Sequence, residues 1–189
     1  MVRRVILGIS GASGAAIGVQ IGRLLAAMDD VELHLVVTSA ARRTIAHEAG
    51  NEALGRLIGL ADHFHPESNI GASIASGSFR TAGMIVAPCS MRSLAAIATG
   101  ITDNLLTRAA DVQLKERRRL VLLARETPLH LGHLRNMVAV TEMGAVVMPP
   151  VPSFYRNPAT VEEVVAHIAA RAVDVLGLTD MPLIPEWRG

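Results

Sequence analysis

At 189 residues the chain has the length of one ordinary domain with a full core, and no shift in composition marks a second, so residues 1–189 are read as a single domain. A net charge of +1 excludes a general nucleic-acid surface, because holding a phosphate backbone needs a pronounced cationic excess on one face. Apolar residues make up 50% and charged residues 19%, which leaves apolar surface over for contacts between copies, so a homo-oligomer is expected.

The chain opens with MVRRVILGIS, a short apolar run that breaks into glycine and is read as a first buried strand, not a signal peptide. Short β-branched or leucine-rich runs then alternate with helical patterns. Strands are expected at Val5 to Gly8, Leu33 to Val37, Met84 to Ala87, Leu120 to Leu123 and Ala145 to Met148. Helices are expected at Gly14 to Met28, Ala40 to Ala49, Ser90 to Ala98, Asp103 to Glu116, Leu131 to Met143 and Val161 to Leu176. Asn51 to Phe64 adds a small helix and a short strand, and the Ser- and Gly-rich stretch Ser68 to Thr81 reads as a mobile active-site loop. The alternation predicts an α/β fold with a doubly wound, mostly parallel sheet. No stretch approaches a membrane span, and the single cysteine, Cys89, excludes a disulfide framework and fits the cytoplasm.

Ligands in such sheets bind beyond the carboxyl ends of the strands. After the first strand comes Ser10-Gly11-Ala12-Ser13, in a turn with glycines at Gly8, Gly11, Gly14 and Gly18. Its G-x-x-G-x-x-G spacing departs from the dinucleotide fingerprint, and no Gly-Lys-Ser/Thr follows to make a P-loop. The later strand ends carry Thr38-Ser39, Pro88 to Ser93, Arg125-Glu126, and a loop with Ser153, Tyr155 and Arg156. Hydroxyls and helix starts suit a phosphate, and Arg125 is placed to supply positive charge.

Arg108 and Lys115 share a helix face with Asp111 between them, a pattern that fits either an ordinary surface pair or an anion site. Arg117, Arg118 and Arg119 are read as surface. Glu126 ends an apolar strand at the ligand rim, where a partly buried carboxylate serves proton transfer or a structural ion pair. Glu48 faces the same choice. His63-x-His65 and His130-x-x-His133 lack a cysteine or carboxylate partner at ligand spacing, so no metal is expected. Cys89 has no adjacent base and is read as packing.

Taken together, GISGASGA, ASGSFRT, PCSMRSLAAIATG, DNLLTRAADVQLKERRRLVLLARETPLHLGHLRNM, GAVVMPPVPSFYRNP and the closing Trp187 resemble the UbiX-type flavin prenyltransferases over essentially the whole chain. The resemblance implies a Rossmann-like flavoprotein that joins a dimethylallyl group from dimethylallyl monophosphate to reduced FMN. It also implies no metal, assembly as a dodecamer, and a prenylated flavin product used by UbiD-type decarboxylases. By the same resemblance Gly11, Ala12, Ser13, Thr38, Ser90, Met91, Arg92, Ser93 and Arg125 hold FMN, with Ser13 near its reactive edge. Arg108, Lys115, Tyr155 and Arg171 grip the prenyl phosphate, with residues from different subunits in one site. Glu126 and Glu48 assist proton movement and Trp187 closes over the site. Ser39 stands where the family often has lysine. The rival readings are an FMN-dependent cysteine decarboxylase, lacking here its catalytic His and Asn-rich clamp, an NADP oxidoreductase suggested by TSAARR, and a non-catalytic FMN-binding accessory subunit.

Overall fold

Side-chain parity along the strands divides the core in two. In the computed structural model, which describes residues 2–178 and 181–185, the first strand β1 (Arg3–Ile9) turns Val5, Leu7 and Ile9 to one face and Ile6 to the other. All of these are buried, as a parallel sheet covered on both sides requires. The remaining strands are β2 (Val31–Val37), β3 (His63–Pro66), β4 (Gly83–Cys89), β5 (Arg119–Ala124) and β6 (Val146–Val147). All five pairings are parallel and the order is β3-β2-β1-β4-β5-β6, the doubly wound arrangement with its switch point between β1 and β4. The sheet expected to be mostly parallel is wholly so.

One face is covered by α1 (Ala15–Ala26), α2 (Ser39–Ala49), α3 (Ala53–Leu60) and α7 (Val161–Leu176), which bury Ile21, Ile45, Leu57 and Ala172 against Leu7 and Leu35. The other is covered by α4 (Met91–Thr99), α5 (Leu105–Lys115) and α6 (Leu131–Glu142), with Leu94, Leu106 and Val140 against Met84 and Leu122. None of the described helices is long and apolar enough to cross a membrane.

The glycines of the first turn act on this packing. Gly14 has φ 101°, a left-handed conformation that other residues reach only with strain, and it starts α1. A Cβ on Gly18 would lie 2.2 Å from the Ala87 carbonyl oxygen, so its absence lets α1 press onto β4. At Gly11 a Cβ would lie 2.4 Å from the Cβ of Ala40. These two glycines therefore make room for neighbouring segments of the chain, β4 at Gly18 and α2 at Gly11.

The segment Ser68 to Thr81 departs from its reading as a mobile loop. It buries Ile74 and Ala75 in a short 3-10 turn and is tied down along α5. Arg118 donates to the carbonyls of Phe79 at 2.8 Å and Gly77 at 2.6 Å, Arg108 donates to Ala75 O at 3.2 Å, and Thr81 donates to Gln113 Oε1 at 2.8 Å. Arg118, read as surface, is a clamp; a guanidinium can satisfy two carbonyls at once, which is what a loop without a ladder needs. Arg119 likewise donates to Val175 O at 3.0 Å, at the end of α7.

Candidate functional site

At the switch point, the carboxyl ends of β1, β2 and β4 open a cleft of about 360 Å³ lined by Ser10, Gly11, Thr38, Ser39, Glu67, Arg92, Ser93 and Asn104, among others. Its floor is set by Ser10, which is 1% exposed. The Ser10 hydroxyl donates to Pro88 O at 2.8 Å and accepts from Ser90 N–H at 2.7 Å, so one side chain binds the β1 and β4 exits together. Helix starts then line the rim. Thr38 accepts from Ala41 N–H at 3.2 Å, Ser90 from Ser93 N–H at 3.3 Å and Asn104 from Thr107 N–H at 3.0 Å, each the hydroxyl or amide cap that such a start favours.

The starts of α1 and α2 also take carboxylates from elsewhere in the chain. Glu48 accepts from Gly14 N–H at 2.9 Å and Ala15 N–H at 2.8 Å, capping α1, whose own N-cap glycine has no side chain to do so. Glu67 accepts from Ser39 N–H at 2.7 Å at the start of α2. A carboxylate there satisfies orphan donors and the positive end of the helix dipole. The start of α4 carries no such carboxylate; beside it stands Arg92, paired with Asp103.

Gly11 and the buried Ala12 sit beside the cleft with Ser13 exposed above α1; Met91 is half-buried at the head of α4 and Ser93 is buried one turn in. Arg125 continues β5, its N–H donating to Cys89 O at 3.1 Å, while its side chain is exposed. Glu126, expected to be partly buried, is exposed in the single chain, and its carboxylate accepts from Thr127 N–H at 3.0 Å. The reason is that Glu126 lies two residues beyond the buried end of β5, in the exposed loop before α6. Trp187 lies outside the described residues.

The four groups assigned to a prenyl phosphate do not meet within one chain. Arg108 and Lys115 project from α5 on one side of the sheet, about 10 Å apart along the helix axis. Arg171 belongs to α7 on the other side, and Tyr155, 60% exposed, to the short turn Phe154–Arg156 that leads into it. Arg108 is meanwhile held by Asp111 at 2.8 Å, and Lys115 pairs with Glu116. Near Arg171 is a second cleft of about 370 Å³, lined by Ser153, Arg156, His167, Ala170 and Ile184 among others. There Ser153 Oγ and His167 Nε2 lie 2.9 Å apart, and burial together with the Arg156 and Arg171 guanidinium groups holds His167 below the ordinary histidine range.

Two cleft residues are not among the strand-end residues that the sequence shows. Glu67 follows β3, whose HFHP sequence has no apolar run to mark it. Asn104 carried a usable signal, a capping residue immediately before the apolar start of α5.

Comparison with known proteins gives consistent results. The Flavoprotein family matches residues 2–173. The flavin prenyltransferase UbiX of Neisseria meningitidis is 59% identical over 189 residues, covering 100% of this chain and 98% of that protein. The flavin prenyltransferase UbiX of Escherichia coli K12 is 50% identical, covering 99% of each. Among solved structures, AnUbiX (PadA1) in complex with FMN and dimethylallyl pyrophosphate superposes with a TM-score of 0.92 at 44% identity, covering 100% of this chain and 99% of that one. A dodecameric FMN-dependent UbiX-like decarboxylase from Escherichia coli O157:H7 gives 0.92 at 46% identity, covering 98% and 99%.

Proposed function

We infer that this chain, which belongs to the UbiX-type flavin prenyltransferase family, transfers a dimethylallyl group from dimethylallyl monophosphate to reduced FMN. The observation that carries the reading is the switch-point cleft, where hydroxyls and helix starts from β1, β2 and β4 converge on one rim. With α1 and α2 already taken by Glu48 and Glu67, the start of α4, with Ser90, Met91, Arg92 and Ser93, is a seat for the flavin phosphate. Gly11, Ala12, Ser13, Thr38 and Arg125 then flank the flavin body.

Reduced flavin would supply the nucleophilic electrons: N5 would bond the allyl carbon and lose its proton as the carbon–oxygen bond breaks onto phosphate, and ring closure would need a proton delivered to the remaining double bond as C6 bonds its far carbon and then loses its own proton. The work of the chain is electrostatic. Arg108 and Lys115 of one copy, with Tyr155 and Arg171 of another, stabilise the charge gathering on the leaving phosphate, so that no metal is needed for transfer. Their placement on opposite faces of the sheet supports a site completed between copies, and the dodecameric relative supports the same assembly here. Glu126 accepts the proton released at C6, alone or through the phosphate. Glu48 acts through the turn it holds, and Trp187 closes the site. The product is passed to a UbiD-type decarboxylase, and the reduced cofactor together with the buried thiol of Cys89 supports a cytoplasmic setting.

Anaerobic incubation with reduced FMN and dimethylallyl monophosphate, with the diphosphate in a parallel arm, tests the reading. The bound chromophore is expected to gain the mass of the prenyl group and a changed absorbance spectrum. Recovery of unmodified FMN from both arms would overturn it.

A further inference from the structure

At the open edge of the sheet, side chains that the sequence reading left scattered come together. Glu32 and His34 lie two apart on β2 and so share a face, and His63 on β3 is the register partner of His34. Elsewhere this face is apolar and covered by helices; here it is roofed by Phe79 of the clamped loop, edge-on to His34 at 5.2 Å between ring centroids.

The donor atoms converge on one oxygen. His34 Nε2 and His63 Nε2 each lie 3.1 Å from Glu32 Oε1, and the three ligand atoms all fall within 4.8 Å of one another. A tetrahedral ion with bonds of ~2.0–2.1 Å separates its ligand atoms by about 3.4 Å, so each nitrogen–oxygen separation needs to open by only a few tenths of an ångström, and the two nitrogens already lie within the bound of 4.8 Å. The outer partners are also in place. Glu32 Oε2 accepts from Arg4 Nε at 3.1 Å, which fixes the carboxylate and leaves Oε1 as its single inward oxygen. His34 Nδ1 lies 2.9 Å from His65 Nε2, so a tautomer exchange along that pair turns a lone pair on His34 Nε2 inward while each ring keeps one proton. His34 is 2% exposed, whereas the His63 side chain is 52% exposed and opens the group to solvent.

We propose that Glu32, His34 and His63 form a binding site for one Zn²⁺ ion per chain, with water as the fourth ligand. Two imidazoles and one carboxylate are a borderline donor set that favours zinc over magnesium or calcium, which take all-oxygen shells. The carboxylate partner that His63-x-His65 lacks in sequence arrives from the adjacent strand. The ion would pin β3, an edge strand of four residues, to β2. Its effect would reach the cleft, because Glu67, about 13 Å along the strand from His63, is the residue that caps α2. The site is separate from the transfer chemistry, which stays metal-free.

Full-length protein stripped of metal is titrated with Zn²⁺ against a chromophoric chelator, and its thermal midpoint is followed in parallel. The expected results are one saturable Zn²⁺ per chain with a raised midpoint, at least tenfold weaker binding in His63→Ala, and unchanged binding in His130→Ala, which removes the separate stacked pair His130–His133. Co²⁺ in place of Zn²⁺ is expected to give visible bands of a four-coordinate site in the wild type and not in His63→Ala. Because His63 is half exposed, that variant is expected to keep the metal-free midpoint. Absence of saturable uptake, uptake unaffected by His63→Ala, or uptake lost in His130→Ala would each overturn the proposal.

Discussion

The flavin end and the prenyl-phosphate end of the proposed site are built in different ways. At the flavin end, adjacent strand exits and the helices that follow them bring Ser10, Thr38, Ser90 and Asn104 to one rim within a single chain. At the prenyl-phosphate end, Arg108 and Lys115 stand across the sheet from Tyr155 and Arg171, and a single chain leaves them apart. One half of such a site depends on local chain geometry; the other depends on assembly, and its energetics are tied to contacts between copies. The exposed apolar residues on and just before α6, Leu129, Leu131, Leu134 and Val138, are surface of the kind such contacts bury.

The largest expected effect tests that division. Lys115→Ala should lower the rate at saturating substrate by roughly 10²–10³ while leaving FMN affinity unchanged. Arg171→Ala should be similarly impaired. Unfolding and reassembling the two variants together in equal amounts should restore about a quarter of wild-type activity if each site takes Lys115 from one copy and Arg171 from another. No recovery in a correctly assembled mixture would put both groups in one protomer's site or in none.

Glu126→Gln comes next, with an expected loss of about 10² in product formation, at the low end of what general acid–base groups contribute, and with FMN retained. A singly attached flavin detected by mass would place the lesion at ring closure; unchanged turnover would remove Glu126 from the chemistry. Ser10→Ala probes the rim that one chain brings together. Pro88 O and Ser90 N–H would lose their buried partner, at a cost of about 2 kcal/mol read from denaturant unfolding, with FMN affinity reduced in step. A neutral result would mean that the strand exits hold each other without it.

Smaller effects follow from titration. Burial and two neighbouring guanidinium groups depress His167, so the unfolded chain binds a proton at a pH where the folded chain does not. Stability is then full above about pH 6.5, the ordinary histidine value, and declines as the pH falls below it. The thermal midpoint should fall on acidification less steeply in His167→Gln than in the wild type. The smallest effect is expected at Cys89, whose thiol burial pushes up to about 12. Thiol-alkylating reagents at neutral pH should leave the native protein unmodified, and rapid labelling would show that the end of β4 opens.

How much was legible in the sequence differs between these regions for physical reasons. Strands such as LHLVV and LVLL are buried on both faces, so they read as apolar runs, and the helices between them carry a 3.6-residue period. β3 was harder. It is an edge strand of four residues with two histidines, its pairing depends on β2, and so Glu67 and the carboxylate partner of the histidines went unread. The segment Ser68 to Thr81 misled because a Ser- and Gly-rich composition reports missing ladder bonds and not missing partners; Arg108 and Gln113 of α5 and Arg118 just beyond it supply them.

By itself the sequence determined the alternating α/β plan, the strand exits on which the hydroxyls gather, and the family, since periodicity and ordered motifs are properties of the chain read in line. Tertiary structure alone decided that Glu48 and Glu67 cap α1 and α2, that Ser10 ties β1 to β4, that Glu32 meets His34 and His63, and that α5 and α7 lie on opposite faces. Each of these depends on which residues of distant segments come within hydrogen-bonding or packing distance, and that is fixed only when strand order and register are set.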